Sequence, residues 1–328
     1  MQTLAYTDLS SLIPEIYRPL AQAKLAEFVN FSMAGLVDQF PIGAGDTMPI
    51  PGFGELAGTI DIIGDNYDPQ VNKITALKDI GVVRHLGKAY GADDLARIVT
   101  GLDPNAAIAA QIANYFARYA IQDSFLSILK GLFNSSGGIL YTANRYSVYA
   151  DVASTAATYA VMTPTIASLG MAKLGDQMGK IRAWLMHSKV VADLAAQGFI
   201  LPATNTPPVG FDGSGVVQTF LGKPIVMADT VTSTAGTSST MYRTFGVTSG
   251  AFALGMQQDL NPEQDRNTLK KLNYIATDLH FCAHVRGTAF AGSTGSGLPT
   301  ATTLETGATW TLAAENAKYV GVVAIDTN

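Results

Sequence analysis

Apolar side chains recur at steps of three and four through Ile108, Ile112, Tyr115, Phe116, Tyr119, Leu126, Leu129 and Phe133, while Gln111, Asn114, Arg118 and Gln122 form a polar face. That period predicts an amphipathic helix. Asp103 is a good N-cap, Pro104 suits the first helical position, and no further proline interrupts until Pro164. Gly137-Gly138 marks the stop. Over 104–133 the helix would be roughly 45 Å long at 1.5 Å per residue, a scaffold on which a sheet or other subunits can rest.

Upstream the period changes. Lys73–Tyr90 reads as a strand, with Ile80, Val82 and Leu86 facing one way and Lys78, Arg84 and Lys88 adding positive charge. Thr47–Phe53 contains Pro49 and Pro51, which restricts it to an edge strand, because proline cannot donate to an interior ladder. Residues 41–90 therefore predict a long two-stranded ribbon with a polar tip at Asp65-Asn66-Tyr67-Asp68-Pro69. A ribbon of that kind is barely stable alone and needs a neighbour to lie on. The first forty residues read as an arm: Ile13-Pro14-Glu15-Ile16-Tyr17-Arg18-Pro19 is extended or turning, and a short helix is expected over Leu20–Phe31.

Downstream, Thr163-Pro164 predicts the cap of a second helix running to about Met178. Ile181–Met186 reads as a buried strand and Ser188–Gln197 as a short helix closed by Gly198. Short strands are expected at Val216–Phe220, Pro224–Met227, Met241–Phe245 and Ala251–Met256. A longer strand pair, or one bent strand, is expected within Leu269–Phe290. Ala291–Gly307 reads as loop and Tyr319–Asp326 as a last strand. No internal repeat is evident, and the class is α+β.

Composition narrows the picture. Only 14% of the 328 residues are charged against 48% apolar, where about a quarter charged is usual. A chain that buries much of its surface against copies of itself needs fewer solvating charges. The net charge of −5 comes with no long basic run, so there is no clustered footprint for gripping DNA directly. Cys282 is the single cysteine, which excludes an intrachain disulfide framework. No apolar run reaches the roughly 20 residues that span a bilayer, and the N-terminus lacks the basic and apolar regions of a signal peptide. Folding in a cytoplasm is the expectation.

Candidate chemistry is sparse. His280, Cys282 and His284 alternate and would share one side of a strand, yet a closed zinc site needs a fourth ligand and none is near. His187-Ser188 lacks a nucleophile elbow, since residues 211–215 read Phe-Asp-Gly-Ser-Gly; Ser188 reads as a helix cap. Gly52, Gly54 and Gly58 have the wrong spacing for a dinucleotide loop. Asp93-Asp94 would meet the dipole at the start of a short helix. Lys78, Arg84, His85 and Lys88 make the best positive patch, read either as a solvated strand face or as a contact with acidic groups of a neighbouring subunit.

The order of arm, ribbon, very long helix, mixed α/β region and late strand resembles the Hong Kong 97-type fold of tailed-bacteriophage major capsid (coat) proteins. The resemblance covers nearly the whole chain. It is carried by Ile13–Pro19, by Thr75-Ala76-Leu77-Lys78-Asp79-Ile80, and by Gly87-Lys88-Ala89-Tyr90-Gly91-Ala92-Asp93-Asp94-Leu95-Ala96. Asp103-Pro104-Asn105-Ala106-Ala107-Ile108-Ala109, Met186-His187-Ser188-Lys189-Val190 and Leu221-Gly222-Lys223-Pro224-Ile225-Val226 complete it.

The resemblance implies an N-terminal arm (1–40), an E-loop (41–78), and a peripheral domain (79–160 and 262–300) carrying a spine helix at 104–133. It further implies an axial domain (161–261 and 301–328). Copies would form hexamers and pentamers of an icosahedral head enclosing a double-stranded DNA genome, without sequence-specific binding, catalysis, cofactor or membrane. Lys73, Lys78, Arg84, His85 and Lys88 become candidate inter-subunit contacts. The Ile13 motif lies close to the terminus, so a separate scaffolding protein is expected, with a portal and room for a decoration protein. Some relatives cross-link through an E-loop lysine. Lys73 and Lys78 lie in that region, but no motif identifies a partner Asn or a catalytic Glu, and cross-linking is not expected. An encapsulin-like nanocompartment shell is the alternative within the fold. A cytoplasmic α/β enzyme is the alternative outside it and would need convergent polar residues.

Overall fold

The computed structural model describes residues 36–54, 60, 74, 76–93, 108, 111–112, 115–202, 218–229, 233–267, 272–295 and 299–328. In chain order the strands are β1 (Val37–Gln39), β2 (Thr47–Phe53), β3 (Ala76–Asp93), β4 (Arg145–Ser147), β5 (Ile181–Met186), β6 (Leu201–Pro202), β7 (Gln218–Phe220) and β8 (Lys223–Met227). They continue with β9 (Ser233–Ala235), β10 (Thr240–Thr248), β11 (Phe252–Asn267), β12 (Leu272–Val285), β13 (Thr288–Phe290), β14 (Trp310–Leu312) and β15 (Val322–Thr327). Helices among the described residues are α1 (Asp123–Leu132), α2 (Pro164–Met171), α3 (Ser188–Ala196) and α4 (Ala301–Glu305).

Two sheets result. The first has the order β1-β11-β12-β3-β13-β14 with β2 also paired on β3. The second has the order β4-β15-β10-β5-β8-β7-β6 with β9 also paired on β10. β11, β12 and β3 pair antiparallel as far as Asn267, Leu272 and Asp93. They form a long arm, since the 18 residues of β3 extend about 60 Å at ~3.3 Å each. Because β11 is continuous, residues on both sides of position 261 lie in the first sheet, as does β14, while β4 lies in the second.

The second sheet explains its own sequence. In β5 all but Arg182 are buried, and β15 is buried throughout. Trp184, Val323 and Ile325 face the α2–α3 layer, while Leu185, Phe245 and Ala324 face the long helix. Strands covered on both faces read as near-continuous apolar runs, which is why Ile181–Met186 and the end of the chain were legible as strands. The last strand starts at Val322, after a short helical turn at Ala317–Val320 and Gly321 at φ 71°.

The long helix departs from its ideal wheel. Ile108, Gln111, Ile112, Tyr115 and Phe116 are helical; the cap assigned to Asp103 lies outside the described residues. A π-helical turn at Ala117–Gln122 then leads into α1. Such a turn admits an extra residue and rotates the faces. Phe116, Ala120, Phe125 and Leu129 stay buried, but Tyr115 and Tyr119, expected on the apolar side, are 36% and 56% exposed. Phe125 packs on Phe252 of the first sheet and Phe133 on Phe245 of the second, ring centroids 5.1 and 5.6 Å apart. One helix thus serves both sheets.

Two further differences have local causes. The second helix runs only to Met171, followed by a tighter turn through Lys180 that Gly175 breaks at φ 56°. The segment 291–307, expected as loop, contains α4. Thr300 caps it, Lys130 pairs with Glu305 at 3.1 Å, and the Trp310 indole donates to the Leu304 carbonyl at 2.8 Å. Five residues hold as a helix because docking on α1 fixes them, a cause that propensity does not register.

Candidate assembly surface

β2 and β3 form the predicted ribbon in the register Thr47↔Val82 to Phe53↔Ala76. Opposed residues share a face, so Phe53, Pro51, Ala76 and Lys78 all point one way. They are exposed, Phe53 at 77%, and Ile74 just before β3 is at 50%. An isolated exposed apolar side chain is ordinary. A continuous apolar face on a two-stranded ribbon is the mark of a contact site. Residues 55–59 and 61–73, with the predicted polar tip and Lys73, lie outside the described residues, as does the arm helix at 20–31.

The predicted basic cluster does not form one patch. Even-numbered residues of β3 face the long helix where it crosses, and this places Arg84 in the core, 8% exposed. Its Nη1 donates to Ser124 Oγ at 2.5 Å, and Ser124 Oγ donates on to the Ala120 carbonyl at 2.5 Å. Burial lowers the Arg84 pKa, with Asp123 opposing. Arg84 is therefore an intrachain tie and is withdrawn from the assembly surface proposed for it. Lys78 and Lys88 lie on the same face beyond the helix and are exposed. His85 points the other way, 3.6 Å from Asp46 and edge-on to His280 with ring centroids 4.3 Å apart.

His280, Cys282 and His284 do share a face of β12, but they do not make a ligand set. His280 lies 3.7 Å from Asp278. Cys282 is fully buried, and burial pushes its thiol up to about 12. His284 is buried with Asp79 3.7 Å away. Among the described residues no three His, Cys, Asp or Glu side chains are placed to hold a metal ion.

Two caps also differ from expectation. His187, not Ser188, caps α3, its Nδ1 accepting from Lys189 N at 3.1 Å. The Ser188 N–H goes to Asp229 Oδ1 at 3.1 Å, and hydrogen bonds from Ser188 hold the Asp229 carboxyl below the usual range. Asp93 ends β3 instead of opening a helix; Asp94 lies outside the described residues.

Sequence reasoning missed the charges that hold the fold together. Asp326, wholly buried, lies between Arg243 and Arg145. Asp151 accepts the N–H groups of Thr237, Ser238 and Ser239 at 2.8, 2.8 and 3.0 Å, bonds that depress its pKa. One signal was available: Asp326 closes an apolar run, and a carboxylate there needs a partner.

The family described as Major capsid protein 13-like matches residues 62–323. A major capsid protein of Bacillus phage SPP1 is 28% identical over 322 residues, covering 94% of each chain. Among solved structures, the capsid of Ralstonia phage GP4 superposes with a TM-score of 0.59 at 12% identity, over 89% of this chain and 86% of that one. The cyanophage Pam1 capsid does so with 0.57 at 13% identity, over 89% and 88%.

Proposed function

This chain belongs to the Gp13-like family of major capsid proteins, and on that premise we propose how it builds a shell. Its role is structural, in a phage capsid of the Hong Kong 97-like fold. Copies assemble as hexamers and pentamers into an icosahedral head that encloses double-stranded DNA, inside the bacterial host, with a separate scaffolding protein, a portal and room for a decoration protein. Residues 1–40 act as the arm and 41–78 as the E-loop. The peripheral domain is 79–160 with 262–300, built on the helix at 104–133, and the axial domain is 161–261 with 301–328. Lys73, Lys78, His85 and Lys88 remain the candidate inter-subunit contacts.

The ribbon supports this reading. Its exposed Phe53 face, with Ile74 alongside, presents apolar area to water, and each large side chain buried on assembly contributes about 1.5–3 kcal/mol. Repeated around a closed shell, modest contacts become a stable assembly.

Negative-stain electron microscopy of the purified chain, with and without its candidate scaffolding protein, is the test. Round shells or six- and five-membered rings are expected. A chain that stays monomeric under both conditions sinks the reading, and co-purification of an enzyme inside shells would favour the nanocompartment alternative.

A further inference from the structure

The chain has four histidines. His187 caps α3 and His284 is buried, which leaves His85 and His280. These two are opposed in the register of β3 and β12, with rings edge-on and centroids 4.3 Å apart. Opposed residues carry their Cβ atoms about 4.5–5.5 Å apart on one face of a sheet. Both side chains reach solvent, at 43% and 29% exposure, so each ring has room to turn about its Cβ–Cγ bond.

A carboxylate stands beside each ring. Asp46 Oδ1 lies 3.6 Å from His85 Nε2, and Asp278 Oδ2 lies 3.7 Å from His280 Nε2. Both acids are themselves held. The Asp46 carbonyl accepts the Val83 N–H at 2.9 Å, and Asp278 Oδ2 accepts from the Gln258 amide at 2.5 Å. A carboxylate next to Nε2 favours the tautomer with its proton there and leaves Nδ1 as the lone-pair donor. The same pairing of an outer carboxylate with an imidazole orients histidines at metal centres and raises their basicity.

We propose that His85 and His280 together bind one late first-row divalent cation, of the kind Zn²⁺ represents, through their two Nδ1 atoms. Imidazole suits zinc, copper and nickel, whereas Mg²⁺ and Ca²⁺ take oxygen ligands. The pair supplies two nitrogen ligands and no third side chain, Asp46 and Asp278 staying outside the coordination sphere, so water completes it. That makes an open, exchangeable site, unlike a closed structural zinc centre. Bound there, the ion ties β3 to β12 on the face opposite the tie of Arg84 to Ser124 of the long helix. The site lies within one chain and is independent of how copies assemble.

Calorimetric titration of the full-length chain with zinc chloride near neutral pH tests it. One equivalent of Zn²⁺ should bind, and excess Mg²⁺ should not displace it. Asp46→Asn and Asp278→Asn should each weaken binding by about tenfold, the lower end for loss of an outer partner. His85→Ala or His280→Ala should weaken it by more than that, while His187→Asn leaves it unchanged. All four site residues reach solvent, so circular dichroism of these variants should match wild type. Copper gives a reading that needs no variant: at one equivalent of Cu²⁺, electron paramagnetic resonance should show coupling to two imidazole nitrogens. No saturable binding, binding that survives loss of either histidine, or a copper spectrum without those two nitrogens overturns the proposal. A failure of assembly would leave it standing.

Discussion

Asp326 and Arg243 form a two-point ion pair between β15 and β10 of the second sheet, Nε to Oδ1 at 2.6 Å and Nη2 to Oδ2 at 2.9 Å, with both side chains almost completely buried. Arg145 Nε reaches the same carboxylate at 2.5 Å, and Arg243 Nη1 donates to the Phe133 carbonyl at 3.1 Å. The pair therefore joins three neighbouring strands to the end of the long helix. Its desolvation is costly, so its removal is damaging chiefly through the charge left behind. Asp326→Ala should destabilise the unassembled chain by about 3–5 kcal/mol, read as a lower urea midpoint. Arg243→Lys should rescue little, because an ammonium cannot reproduce the fork. A wild-type midpoint in Asp326→Ala would show that the pair does not hold the fold.

Arg84 and Lys78 lie on one strand face and should behave oppositely. Ser124→Ala leaves the buried Arg84 guanidinium without its acceptor and should cost about 1–3 kcal/mol of stability. Lys78→Ala sits in water and should stay within about 0.5 kcal/mol of wild type, while lowering the yield of shells. Unfolding curves alongside sedimentation separate the two. Equal stability loss at both sites would mean that the burial pattern of β3 is not as described.

Gly131 and Gly170 offer a second contrast. Alanine in a helix normally gains about 1 kcal/mol over glycine. At Gly131 a Cβ would run into the Leu304 carbonyl and the Trp310 indole, where α4 docks on α1. Backbone cannot yield there, so Gly131→Ala should destabilise by about 1–3 kcal/mol and expose α4 to limited proteolysis. At Gly170 the obstacle is the tip of the Ile325 side chain, which can turn aside, and Gly170→Ala should cost less. Calorimetry that ranks them the other way would contradict this docking.

What could be read in the chain was what depends on neighbours in sequence or on a uniform environment. β5 and β15 are apolar because both faces are covered, and β3 is apolar at Gly81–Val83, where it too is buried on both faces. Tyr119 could not be placed, because it keeps helical spacing with Tyr115 and the two rings pack together, centroids 5.1 Å apart, on the exposed flank beside buried Phe116 and Ala120. Arg84 read as surface charge because nothing in Lys78–Lys88 reveals that a helix crosses its middle. The partnership of Arg243 with Asp326, and of Asp151 with the 237–239 turn, joins residues more than eighty positions apart, and only the fold brings them together. The exposed face of the candidate site was legible in the ribbon, where Phe53 and Lys78 fall on one side of paired strands.

Cys282 makes the fold sensitive to alkali. It is fully buried on β12, opposite Val83 of β3 and Gly255 of β11. Ile42, on the segment between β1 and β2, lies against Gly255, and Cys282 Sγ leans toward Gly81. Burial pushes the thiol to about 12, whereas in the unfolded chain it ionises near about 8.5. The folded state thus keeps a proton that the unfolded state releases. The associated stability is fully present below about pH 8.5 and is lost as pH rises toward about 12, at about 1.4 kcal/mol per pH unit. Cys282→Ala removes this dependence and adds a small cavity whose cost does not vary with pH. Urea unfolding at pH 7, 9 and 10 should therefore show wild type falling faster than the variant, other titrating groups cancelling in the comparison. A thiol reagent at pH 8 should label Cys282 only as the chain unfolds. Parallel pH profiles for the two chains, or rapid labelling of the native one, would mean that this face of the first sheet is open to solvent.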